Sequence, residues 1–76
     1  MNAQFVYKVV VEWVETASQN IRCEYDLGWY DALVAIKRSI EQRGSINLPA
    51  PAGHSNEYRI GWLDAVDEIV TTATNH

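Results

Sequence analysis

The chain holds a single cysteine, Cys23, so no intramolecular disulfide can form and a disulfide-stapled secreted scaffold is excluded. It has no apolar run of the roughly 18–20 residues that a bilayer-spanning helix needs. Nothing in it resembles a signal peptide, so the cytoplasm is the expected location. Basic residues are also scarce: six Lys and Arg stand against ten Asp and Glu, a net charge of −4. That balance argues against a surface that grips nucleic acid directly, and Lys8, Arg22, Lys37, Arg38 and Arg43 are scattered. What is plentiful is apolar surface. Of the 76 residues 47% are hydrophobic, with three Trp, four Tyr and one Phe. A domain below about 80 residues retains only a few kcal/mol of net stability unless something staples it. The expectation is one domain over 1–76, with an apolar surplus that a second copy of the chain could cover.

Along the chain, the opening segment Gln4–Glu15 is rich in valine and aromatics, and its odd positions Phe5, Tyr7, Val9, Val11 and Trp13 are all apolar. That period predicts a strand, with a helix as the competing reading that the valine run disfavours. Thr16–Asn20 then reads as a hairpin turn, and Ile21, Cys23 and Tyr25 as the inward face of a second strand. In the register that pairs Trp13 with Ile21, Glu12 falls opposite Arg22. Asp26 is the expected N-cap of a helix that runs to about Arg43 and stops at Gly44. Residues 45–55 read as an extended loop, with a third short edge strand at Ile46–Leu48. A loop of this length in a small domain is often functional. Ser55 or Asn56 caps a last helix over about Glu57–Thr72, beyond which Ala73–His76 should fray. The predicted fold class is α+β, an antiparallel β-hairpin packed on two helices.

The two helices echo each other. Residues 24–36 read EYDLGWYDALVAI and residues 57–69 read EYRIGWLDAVDEI. Glu, Tyr, Gly, Trp, Asp, Ala and Ile therefore recur at an offset of 33. The core faces match as Tyr25, Trp29, Ala32, Leu33 and Ile36 against Tyr58, Trp62, Ala65, Val66 and Ile69. Gly28 and Gly61 leave room for another backbone or ring to approach. Duplication, convergent packing and a shared binding role all fit this echo. The pattern Tyr58-x-x-Gly61-Trp62-x-Asp64-Ala65-x-x-x-Ile69 resembles helices of small phage- and prophage-encoded accessory proteins. The resemblance covers about 13 residues per copy. It implies a protein that binds and blocks a host complex, such as a CRISPR or other defence complex or RNA polymerase.

Signals for catalysis are sparse. Cys23 is the only thiol, and it falls inward on the expected strand. His54-x-x-Glu57 offers two ligands where zinc sites use three or four from the protein, so neither a metal nor a cofactor is expected. No glycine-rich phosphate cradle is present, and the protein is expected not to be an enzyme. The helix surfaces say more. Glu57, Asp64 and Glu68 share one stripe of the last helix, flanked by Asp67, an acidic strip that suits a basic partner. Beside it runs a second apolar stripe made of Leu27, Tyr30 and Val34 on one helix and Ile60, Leu63 and Val70 on the other. Its uses are packing against the hairpin, a two-fold homodimer or a heterologous contact. The expected partner-binding residues are Asp64, Asp67, Glu68, Glu57, Tyr30 and Leu63. They would engage a host protein or protein complex. The alternative function is a homodimeric assembly module without inhibitory activity.

Overall fold

The computed structural model describes residues 3–75. It has three helices, α1 (Ala3–Ser18), α2 (Glu24–Glu41) and α3 (Asn56–Thr74). Among the described residues there is no strand, so the α+β expectation is corrected to all-α. The expected hairpin divides between α1, a short link and the first turn of α2. Its supposed register does not exist, and Cys23 is exposed. The Ile46–Leu48 edge strand is likewise replaced by irregular chain.

Packing explains why helix wins in α1. Val6, Val10, Trp13 and Ala17 recur at helical spacing, and Val6 and Val10 are 1% and 0% exposed. A valine gives up about half a kcal/mol of helix propensity relative to alanine. Burying its side chain returns roughly 1.5 kcal/mol or more. The alternation of odd apolar positions is real, but a helix satisfies it too, because Phe5 and Val9 join the same core.

Helix ends follow local chemistry. The N-cap of α2 is Cys23, in extended geometry and with no side-chain cap bond. Asp26, the expected cap, lies one turn inside and accepts the backbone N–H of Arg22 at 3.1 Å. At the other end, Gly44 N–H donates to the Ser39 carbonyl and Arg43 N–H to that of Ile40. These bonds close α2, with Arg43 rather than Gly44 in the left-handed region at φ 60. Ser55 caps α3 by accepting the Tyr58 N–H at 3.2 Å. At its C-terminus Ala73 is buried and Thr74 still helical, so fraying does not begin at residue 73; His76 lies outside the described residues.

α1 runs against α2: Tyr7 hydroxyl donates to Glu41 at 2.6 Å, while Trp13 stacks on Trp29 with centroids 6.3 Å apart. α2 and α3 instead meet through their N-terminal halves. A β-carbon built on Gly28 would overlap the Tyr58 carbonyl oxygen, and one on Gly61 would overlap that of Tyr25. Tyr58 thus lies beside Gly28, about 20 Å of helix back from Glu41 at 1.5 Å per residue. The 42–55 connection must retrace that distance, which is why it is long. It is also pinned, since Trp62 Nε1–H donates to the Leu48 carbonyl at 3.0 Å. Ile46, Leu48 and Ala50 pack on the core.

The 33-residue echo becomes an approximate two-fold relation between α2 and α3. Tyr25 hydroxyl donates to Asp64 at 2.6 Å and Tyr58 hydroxyl to Asp31 at 2.5 Å. Each glycine receives the other helix's tyrosine carbonyl, and each tyrosine neighbours the tryptophan four residues on, at 6.5 and 6.3 Å. Ala32, Leu33 and Ile36 are fully buried on α2, as are Ala65 and Ile69 on α3. The repeat is a solution to helix pairing.

Candidate partner-binding surface

The seam between α2 and α3 is acidic. Asp64 accepts from Tyr25, and that bond, followed by partial burial and then the fields of Asp64, Asp26 and Glu68, pushes the Tyr25 hydroxyl up to about 12. The two-fold counterpart Tyr58 also rises to about 12, with burial leading and the Asp31 bond second. The shared cause is that a phenolate would face a carboxylate. No cation contributes at either tyrosine. Of the expected site residues, Asp64 is exposed but already engaged, holding Tyr25.

The rest of the expected site divides. Glu57, Leu63, Asp67 and Glu68 are all exposed on α3. Ile60 and Leu63 are 52% and 43% exposed, among the largest uncovered apolar side chains. Among the described residues no cation lies within ion-pair distance of Asp67 or Glu68; the ion pair present joins Lys37 to Glu41 at 3.2 Å. Tyr30 is half-buried on α2. Tyr30 and Leu63, equivalent at offset 33, each stand two residues beyond the glycine that faces the other helix, about 200° round from the contact, so they lie on opposite sides of the pair. The six-residue apolar stripe is not one patch. Leu27 packs against the core, whereas Ile60 and Leu63 remain open.

A groove lies apart from the expected site residues. Between the end of α1 and the start of α2 lies an open cavity of about 620 Å³ lined by Trp13, Thr16, Ala17, Asn20, Tyr25, Asp26 and Trp29. Its three rings are nearly parallel in sequence: Trp13 and Trp29 are 20° apart, Trp29 and Tyr25 27°. The i, i+4 pair Tyr25/Trp29 was visible in the repeat. Trp13 was hidden by assigning it to a strand. His54, weighed with Glu57 as a metal half-site, instead stacks on Tyr58 at 3.9 Å and 14°. Among the described residues no group of three metal-ligating side chains converges.

An open acidic helix face and an aromatic groove thus meet at Tyr25–Asp64 on this three-helix domain. Comparison with known protein families, curated proteins and solved structures finds no match. None of the described helices is long and apolar enough to cross a membrane.

Proposed function

We propose that this chain is a non-enzymatic binding protein that captures a basic protein partner on the outward face of α3. One observation carries the reading: Ile60 and Leu63 stand open beside Asp67 and Glu68, carboxylates that meet no cation among the described residues. An apolar pair with an acidic border suits a partner surface of apolar residues ringed by Lys and Arg. The apolar pair supplies burial, and the acids supply fast, selective encounter. Glu57 extends the border toward the N-terminus of α3. The phage-helix resemblance supplies the biological class: a host complex in the bacterial cytoplasm that binding blocks.

The test is capture from bacterial lysate by the intact chain and by two variants, Ile60→Asp/Leu63→Asp and Asp67→Lys/Glu68→Lys. A partner held by the parent and lost by both variants, with helicity and melting unchanged, supports the reading. Equal capture by all three overturns it. Asp64 is left intact because its loss would disturb Tyr25. A concentration-dependent dimer abolished by Leu63→Asp would instead assign the same face to a second copy.

A further inference from the structure

We infer that the groove between α1 and α2 is a receptor for an arginine side chain presented by the partner polypeptide. The inference deepens the reading of the protein as a binder of a basic partner, but it concerns a different surface from the α3 face.

Trp13, Trp29 and Tyr25 line the groove with ring planes within 20° and 27° of their neighbours. These rings form an offset stack that leaves part of a ring face open and does not enclose a ligand on several sides. A tetrahedral ammonium is best held by rings that enclose it, whereas a planar guanidinium can stack on one open face. Asp26 lies on the same rim. One of its oxygens is held by the Arg22 N–H, which fixes the carboxylate while leaving acceptor capacity for a charged donor. Among the described residues no Lys, Arg or His lines the groove. Asp64 and Glu68, whose fields reach Tyr25, add negative charge from the α3 side. The volume, about 620 Å³, is ample for one arginine side chain with the backbone that presents it. Neutral aromatics would gain from the rings alone, and lysine chiefly from the charge, with less ring contact than a planar guanidinium makes. Arginine uses both.

Trp62 provides an internal control, because its indole N–H is already bonded to the Leu48 carbonyl and its ring is 7% exposed. The three indole N–H resonances of the isotope-labelled chain should be followed while a capped Gly-Arg-Gly peptide is added, with the lysine and citrulline peptides as comparisons. Citrulline keeps the planar shape without the charge. The expected result is that the arginine peptide shifts Trp13 and Trp29 and leaves Trp62 in place. Lysine should bind several-fold more weakly, and citrulline weaker still. Asp26→Asn, which retains an acceptor for the Arg22 N–H, should lower arginine affinity roughly tenfold, the loss of one charge-assisted contact. Asp67→Lys/Glu68→Lys should still bind the peptide in the groove even if it no longer captures the partner. Equal shifts with citrulline, movement of all three indoles together, no shift at saturating arginine peptide, or an unaffected Asp26→Asn would each overturn the assignment. None of those outcomes bears on the α3 face, whose own test is the loss of lysate capture.

Discussion

At the residue scale the fold depends on two hydrogen atoms. Gly28 and Gly61 each occupy a place where the other helix's backbone passes, and a backbone carbonyl cannot swing aside as a side-chain tip can. Alanine is the better helix former by about 1 kcal/mol, so at an exposed site Gly28→Ala would stabilise. Here overpacking of about 1–3 kcal/mol, or more, opposes it. We expect Gly28→Ala and Gly61→Ala each to lower stability by about 2 kcal/mol, a drop in Tm on the order of 10 °C for a domain of this size. Thermal melts by circular dichroism will show it; unchanged or raised melting would mean the helices do not cross so closely. The tyrosine–carboxylate bonds give a second prediction. Tyr25 and Tyr58 have their folded values raised from 10.0 to about 12. Their contribution is thus complete below pH 10 and disappears as pH rises through about 12. Tyr25 is only half-buried, and screening by water keeps its share small. Asp64→Asn should bring Tyr25 ionisation back toward 10 and leave Tyr58 in place, as read from tyrosinate absorbance during alkaline titration. An unmoved titration would show that Asp64 is not the cause.

At the element scale, what the sequence revealed and what it concealed have physical reasons. α3 was legible because its start has a true cap at Ser55 and its apolar residues follow one helical face. The inward face of α2 was legible for the same reason, and Gly28 and Gly61 were recognisable as points of close approach. α1 was not legible: five valines and an apolar residue at each odd position from 5 to 13 satisfy period two as well as 3.6. The choice is made by tertiary burial of Val6 and Val10, which no local rule contains. The start of α2 was concealed because Cys23 sits at the cap without acting as one. Replacing it tests this directly. Cys23→Ser supplies a hydroxyl that can accept a first-turn N–H, next to an Asp26 already placed one turn in. Stability should rise by about 0.5–1 kcal/mol, measured as the urea midpoint. The opposite change, Ser55→Ala, removes an existing cap and should cost about 1 kcal/mol. If both substitutions are silent, helix ends matter less here than packing does. The groove was illegible because it needs Trp13 from α1 beside Tyr25 and Trp29 from α2, and a strand would have pointed them elsewhere.

At the scale of the whole molecule, the two-fold relation changes how the apolar surplus is understood. A small, unstapled chain invites a second copy, but this one has already paired two related helices internally. The symmetry is then broken from outside. Trp29 is covered by Trp13 of α1, whereas its equivalent Trp62 is covered by the returning 42–55 loop. Each half of the pair thus has a lid of its own, and the long loop has a structural task. What the two lids leave open is the outward face of α3. If Ile60 and Leu63 served stability, replacing them would unfold the protein; if they serve a partner, it would not. Exposed substitutions away from caps and core cost within about 0.5 kcal/mol. Ile60→Asp/Leu63→Asp should therefore melt within a few degrees of the parent, sediment as the parent does, and lose the partner. Trp13→Ala gives the contrast. It strips the cover from Trp29 and truncates a large half-buried ring, and should cost on the order of 3 kcal/mol. A urea titration of the three proteins side by side separates the cases. Midpoints that fall together would make the α3 face part of the core's support. A fall in Trp13→Ala alone leaves Ile60 and Leu63 as surface kept apolar for contact.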